Sequence, residues 1–353
     1  MIVRSTRACR FGSHRVLDPP GALAQAAWRL DATPVAYENE ILCDVDALNI
    51  DSASFAQLRA ECGDDVHAIG ERILATVRER GKQHNPVTGS GGMFVGRVRE
   101  VGTALRDSVA LQAGDRIASL VSLTLTPLLL ERVLGVDLAT GHVQVRGTAV
   151  LFESGSWATL PTDLDDRVAL AVFDVAGAPA QMRRLCRQGD TVVVIGADGK
   201  SGILSCVEAK RATGSSGRVI GVVPNAASPG ARLVRDHGFV DVAIEADARD
   251  ALQISQRVGA AAPGGADLVV NCVNVAGTEA GTILCAKDGG SIYFFSMATS
   301  FTAAALGAEG LGKDVTMIVG SGFAPNHAEI ALETLRSHPA VLAHFTTTYG
   351  RKS

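Results

Sequence analysis

The sequence predicts an α/β protein in two parts: a small antiparallel β-barrel before about residue 160, then a doubly wound parallel sheet. Three observations predict it. Short alternating segments bounded by glycine turns crowd the first half. From residue 191 onward, strand-like and helix-like runs alternate, the pattern of parallel strands joined by crossover helices. Finally, the β-branched run Thr191–Ile195 leads into Gly196, Gly199 and Gly202, and then into the apolar Ile203, Leu204 and Val207. A strand, a glycine turn and a helix start form a phosphate cradle. Glycine lets the backbone approach a pyrophosphate, and the helix N-terminus attracts its charge. A tight turn alone would also use glycine; the flanking strand and helix are what point to a dinucleotide.

The composition narrows the partners. With 353 residues, the chain is long enough for two domains with separate cores. Apolar residues make up 47%, charged residues 20%, and the net charge is −4, with no basic face for nucleic acid. The opening Met-Ile-Val-Arg-Ser-Thr-Arg lacks a signal-peptide core, and no apolar run reaches the ~18 residues of a membrane span. The longest candidate, 117–130, is broken by Ser119, Ser122, Thr124, Thr126 and Pro127. Seven scattered cysteines without a C-x-x-C pair suggest neither a disulfide framework nor a local zinc site. The expectation is a cytoplasmic protein with reduced thiols, free of nucleic-acid and membrane partners.

Taken in order, Glu40–Asn49 alternates as a half-exposed strand. Between Asp64 and Arg80, Val66, Ile69, Ile73 and Val77 share one helical face, and Gly81 ends the helix. A glycine-rich turn at 89–92 leads into a strand reaching Gly102, and Gly114-Asp115 turns into another from Arg116 to Val121. Strands are then expected at 191–195, 218–223, 240–244, 267–271 and 291–295, with helices around 202–212, 229–237, 248–258 and 278–285. A strand at 314–319 and an amphipathic helix from Asn326 to Arg336 close the chain. There is no internal repeat.

Several of these stretches resemble the medium-chain dehydrogenase/reductase superfamily. They are Glu40–Asp51, Gly96-x-Val-x-x-Val-Gly102, Gly114-Asp-Arg116 and Gly196-x-x-Gly-x-x-Gly202, in the right order over most of the chain. The resemblance implies a GroES-like β-barrel catalytic domain at 1–165, with a helical insertion at 56–86. It further implies a Rossmann doubly wound parallel-sheet domain at 166–310 and a segment at 311–353 that returns to the catalytic domain. Pairing into a homodimer through the edge of the nucleotide sheet is also implied. Longer runs are similar to the L-erythro-3,5-diaminohexanoate dehydrogenase family of lysine fermentation. Among them are Gly12–Val16, Ala47–Phe55, Asn85–Phe94, Ile117–Ser122, Leu151–Gly155, Asp174–Gln181, Asn271–Val275, Phe294–Phe301 and Ala304–Gly310. That similarity implies oxidative deamination of a 3-amino acid, giving a 3-oxo acid, ammonium and NADH. A zinc-free quinone or enoyl reductase and a non-catalytic dinucleotide-binding redox sensor are the rival readings.

The pattern is broken in informative places. Where zinc enzymes of the superfamily carry Gly-His-Glu, this chain has Gly91-Gly92-Met93, and Ile50–Ser54 holds no early cysteine. Zinc-free chemistry is therefore expected. Within the cradle (Gly196, Asp198, Gly199, Lys200, Ser201, Gly202), Asp198 would repel a pyrophosphate unless it turns outward, and Lys200 offsets it. Asn225 stands where an acidic residue often holds the adenosine ribose, and no arginine is adjacent for a 2′-phosphate, so the residues alone leave the choice open; the resemblance implies NAD, with NADP possible. Asn274 and Ser296 are further cofactor candidates.

Amine oxidation needs a base to take a proton from the ammonium. Asp174, expected at the domain junction, is the first candidate against a hinge or capping role. Glu153, at a barrel strand end expected to face the same junction, is the second, against a structural pairing. Asp51 competes with an ordinary turn aspartate. Lys82 is weighed as a holder of the substrate carboxylate against a solvated helix-end lysine.

Overall fold

The computed structural model describes residues 8–86, 89–320 and 322–351. The opening residues 1–7 and the Val87-Thr88 portion of the Asn85–Phe94 run lie outside them. The chain divides into two compact units, Met1–Asp166 and Arg167–Ser353.

The first unit contains β1 (Val16–Asp18), β2 (Arg29–Leu30), β3 (Glu40–Asn49), α1 (Ser52–Cys62) and α2 (Val66–Arg80). It continues with β4 (Met93–Val101), β5 (Arg116–Ser119), β6 (Leu128–Asp137), β7 (His142–Phe152) and β8 (Trp157–Thr159). Its main sheet is antiparallel in the order β6-β7-β3-β4-β5-β8. The central β3 contributes Ile41, Cys43, Val45 and Leu48 to a core shared with Phe94, Val98, Val143 and Val145. Of the predicted face of α2, Ile69, Ile73 and Val77 pack into the same core, while Val66 at the helix start is exposed. Each such buried side chain contributes about 1.5–3 kcal/mol. Asp65 caps α2 by accepting from the His67 and Ala68 amides, and left-handed Gly81 ends it. Helix α1 begins four residues before the helical insertion expected at 56–86, with Phe55 and Leu58 as buried apolar anchors.

The N-terminal arm is fastened by Arg15. Its guanidinium, fully buried, meets Glu40 side-on at 2.7 and 2.6 Å and donates to the carbonyls of Asp31, Thr33 and Val35. His14 adds a 2.8 Å contact to the same carboxylate. Burial alone would raise the Glu40 pKa, but these hydrogen bonds hold the carboxyl below its ordinary value.

The second unit alternates helix and strand: α3 (Asp166–Phe173), α4 (Gly177–Leu185), β9 (Thr191–Ile195), α5 (Lys200–Thr213), β10 (Arg218–Val223), α6 (Pro229–Asp236) and β11 (Val242–Glu245). It continues with α7 (Ala251–Ala261), β12 (Ala266–Asn271), α8 (Glu279–Cys285), β13 (Ala286–Phe294), α9 (Phe301–Leu311), β14 (Val315–Val319), α10 (His327–Arg336) and α11 (Pro339–Tyr349). The sheet is parallel throughout, in the order β11-β10-β9-β12-β13-β14. Val192 to Ile195 are at most 1% exposed, as a strand covered on both faces requires. Strands are added outward on one side from β9 to β11 and on the other from β12 to β14. The direction therefore reverses between β9 and β12, the position where such sheets bind ligands.

The segment 311–353, which the resemblance assigns to the catalytic domain, groups with the second unit. There β14 hydrogen-bonds along β13, and Thr334 of α10 donates to Glu208 of α5 at 2.6 Å. Glu208, 2% exposed, is also held by Arg183 and Arg211, so an ion cluster locks the last helices to the nucleotide sheet's own helices.

Candidate functional site

The cradle lies at the carboxyl end of β9, beside the reversal point. Gly196 has φ +81, a conformation that favours glycine, and an added Cβ there would crowd Val273 Cγ2 at 3.1 Å. At Gly202 the constraint is proximity: a Cβ would stand 2.0 Å from the Gly196 carbonyl oxygen. At Gly199 the space is open, with the nearest atom to a Cβ at 3.7 Å. The motif thus has two packing glycines and one that leaves room at the start of α5. That fits a pyrophosphate approaching the helix N-terminus.

Asp198 turns away from this space. Its carboxylate accepts from Ser228 Oγ at 2.9 Å, and Ser228 also caps α6 through the Ala231 amide at 3.1 Å. The expectation that Lys200 offsets Asp198 is corrected, because the Lys200 ammonium pairs with the Asp174 carboxylate instead. Both side chains remain partly exposed, at 25% and 20%. Tyr349, at the end of α11, is close enough to feel both charges. Burial pushes its phenol pKa up, Lys200 pulls it down and Asp174 raises it again. Ser201 is buried in the first turn of α5.

Around the rim, Asn225 follows β10 and is exposed, with its Oδ1 accepting from the Ala227 amide at 2.8 Å. Glu245, at the end of β11, accepts from the Ala226 amide at 2.8 Å and puts a carboxylate on the same loop. Asn274 is exposed in the loop after β12. That loop is anchored by Asn271, fully buried, which donates to Thr278 and Thr282 hydroxyls and accepts from the Val273 amide. Ser296, after β13, receives the Ala298 amide at 3.1 Å. Asn271 and Tyr349 were missed as site residues. The visible signal for Asn271 was a polar residue ending an apolar strand, with threonines seven and eleven residues later.

The first unit separates its candidates. β3 runs antiparallel to β7, with Glu40 opposite Phe152 and Asn49 opposite His142. Glu153 therefore lies beyond one end of β3 and Asp51 beyond the other, about 30 Å apart at ~3.3 Å per residue. Glu153 accepts from Asn39 Nδ2 at 2.9 Å, beside the N-terminal arm. Asp51 caps α1 at the Ser54 amide (2.9 Å) and accepts from the hydroxyls of Ser54 (2.6 Å) and Ser90 (2.9 Å). Lys82 is not at a solvated helix end. It is fully buried, with Nζ donating to the Ala24 carbonyl at 3.0 Å, and burial with the Arg80 charge lowers its pKa to about 8. His84 bonds Thr124 Oγ1 through Nδ1 at 2.6 Å; burial, Arg80 and Lys82 lower it to about 4, so it stands neutral.

The glycine at position 92, in place of the motif's histidine, also has a steric basis. Gly92 has φ +86, and a Cβ there would fall 2.1 Å from the Asn49 carbonyl oxygen. Among the described residues, no group of three or more His, Cys, Asp or Glu side chains converges in metal-binding fashion.

Residues 14–161 match the L-erythro-3,5-diaminohexanoate dehydrogenase N-terminal domain family. The chain is 48% identical to the L-erythro-3,5-diaminohexanoate dehydrogenase of Acetoanaerobium sticklandii, covering 97% of this chain and 99% of that protein. It is 46% identical, over the same shares, to the enzyme of that name from Fusobacterium nucleatum. A mycobacterial protein solved with NADPH superposes with TM-score 0.53 at 19% identity, covering 88% of each chain. A mycobacterial quinone oxidoreductase gives 0.51, also at 19% identity, covering 88% and 82%. At that distance the solved structures show the fold alone.

Proposed function

The chain belongs to the L-erythro-3,5-diaminohexanoate dehydrogenase family, and from that premise we propose that it deaminates L-erythro-3,5-diaminohexanoate to 5-amino-3-oxohexanoate and ammonium. Whole-length similarity to two proteins of that name carries the reading. The quinone or enoyl reductase and redox-sensor alternatives are not favoured, since the quinone oxidoreductase likeness reaches only the fold. Lysine degradation in the cytoplasm is the setting this substrate suggests.

When bound, the nicotinamide cofactor supplies the hydride acceptor. The open Gly199 and the amides beginning α5 hold the pyrophosphate, while Asn225 offers its amide to the ribose. NAD is the proposed form, because Glu245 on the Asn225 loop would repel a 2′-phosphate. Asp174 attracts the ammonium and takes the proton that must leave before hydride transfer. Once that proton has passed to solvent, the ionised carboxylate accepts a proton from the water that attacks the iminium and returns it to the departing nitrogen. A homodimer is the proposed assembly. The edge strand β14 and the exposed Phe301, Leu306 and Leu311 of α9 offer a surface for a second copy.

The deciding experiment incubates purified protein with NAD and the diamino acid. Reduced nicotinamide and ammonium should form in equal amounts. Reduction of a quinone by reduced cofactor, without turnover of the amine, would overturn the assignment.

A further inference from the structure

We propose that the cofactor's pyrophosphate draws Lys200 off Asp174, so that Asp174 becomes available to the amine only after the dinucleotide has bound. The inference rests on the cradle reading and on Asp174 as the proton acceptor. It starts from a placement: Lys200 is the first residue of α5, next to Gly199, where the loop leaves open space. Its ammonium nevertheless pairs with Asp174, which follows α3. The two side chains are a quarter and a fifth exposed, so an incoming anion can reach the pair. A dinucleotide pyrophosphate carries two negative charges and sits in the field of the helix N-terminus, which makes it a stronger claimant on the lysine's charge than one carboxylate. The other carboxylate of the loop, Asp198, does not compete, since it is tied to Ser228. Once Lys200 has moved, Asp174 has lost this counter-charge, and a substrate ammonium can replace it. The device imposes an order of binding, cofactor before amine.

The sign of one mutational effect separates this from a static role. Calorimetric titration with NADH, and with ADP-ribose as a probe lacking nicotinamide, should show Lys200→Met weakening binding by about tenfold or more, the loss of one charge-assisted contact. Asp174→Asn should tighten both ligands by ~3- to 10-fold, because the lysine no longer has a rival partner. In the double variant the gain should vanish, since no lysine remains to be released. If Asp174→Asn weakens binding, Asp174 merely holds Lys200 in place and the proposal falls; unchanged affinity sinks it equally. Asp174→Ser repeats the test should the asparagine variant not fold. A parent protein that binds neither ligand defeats the cradle reading itself, a result distinct from binding that ignores Asp174.

Discussion

Replacing Gly199 by valine should abolish dinucleotide binding while leaving the fold intact. The backbone there, φ −83 and ψ 167, is ordinary extended geometry that valine favours. The nearest atom to an added Cβ is 3.7 Å away, so the free protein has room for the side chain. The same branched side chain fills the approach to the amides that begin α5. Losing two charge-assisted hydrogen bonds of about 1.5–3 kcal/mol each removes ~3–6 kcal/mol, or ~10²- to 10⁴-fold in Kd. Gly202→Ala is the contrasting control. Its Cβ would stand 2.0 Å from the Gly196 oxygen, so α5 must shift and overpacking costs about 1–3 kcal/mol of stability. Titration with NADH beside thermal melting measures both quantities. A Gly199→Val protein that melts like the parent and binds NADH equally well would refute the cradle.

The other predictions concern chemistry and stability. Asp174→Asn should lower amine turnover by ~10²-fold or more in steady-state assays, the scale of a lost acid–base group. Metal analysis should find no stoichiometric zinc, and chelators should leave activity intact; one zinc per chain, with activity lost on removal, would contradict the reading of Gly91-Gly92-Met93. Glu40→Gln leaves the buried Arg15 without its anion and should cost ~3–5 kcal/mol by urea unfolding. Because the folded Glu40 pKa is depressed, its contribution is full above the unfolded value of about 4.3 and is lost as pH falls through the folded value, so the parent should lose stability in acid more steeply than the variant. Iodoacetamide at mildly alkaline pH should label exposed Cys9, whose hydrogen bonds from Ser13 lower its pKa, before Cys43, Cys186 and Cys285, whose burial raises theirs to about 12.

The nucleotide sheet was legible because its strands are short, apolar and buried on both faces, so Thr191–Ile195 and Arg218–Val223 could be bounded by residue type alone. The helix over Val66–Arg80 was legible for the same kind of reason, a single apolar stripe closed by Gly81. Helices α9 and α11 were not, because α9 keeps Phe301 and Leu306 exposed and its alanines carry no periodic contrast. β6 is largely solvent-facing and carries no simple alternation, while the alternation of β7 is confined to His142–Arg146 and gives way to a continuously buried run. The cradle's glycines were readable as a motif. The partners of its charged residues were not, since Asp198 and Ser228 lie thirty residues apart and Asp174 and Lys200 twenty-six. Pairings at such separations depend on how helices pack, which spacing in one chain does not encode.

The three candidate carboxylates differ in what holds them, and that difference ranks them. Asp51 is held by neutral donors, the amide and hydroxyl of Ser54 on the helix that it caps and the hydroxyl of Ser90 before β4. Removing those donors would uncap α1, so Asp51 has partners it must keep through any catalytic cycle. Glu153 is bonded to Asn39, whose side chain also ties down the backbone of Ala8, and it stands at the far end of β3 from Asp51. Asp174 pairs with a cation, and that cation is the first residue of the cradle helix. A carboxylate facing a lysine is already placed where an ammonium is stabilised, so a substrate amine can take the lysine's position without any change in the surrounding backbone. The acidic residue best suited to an amine is therefore the one whose present partner imitates it.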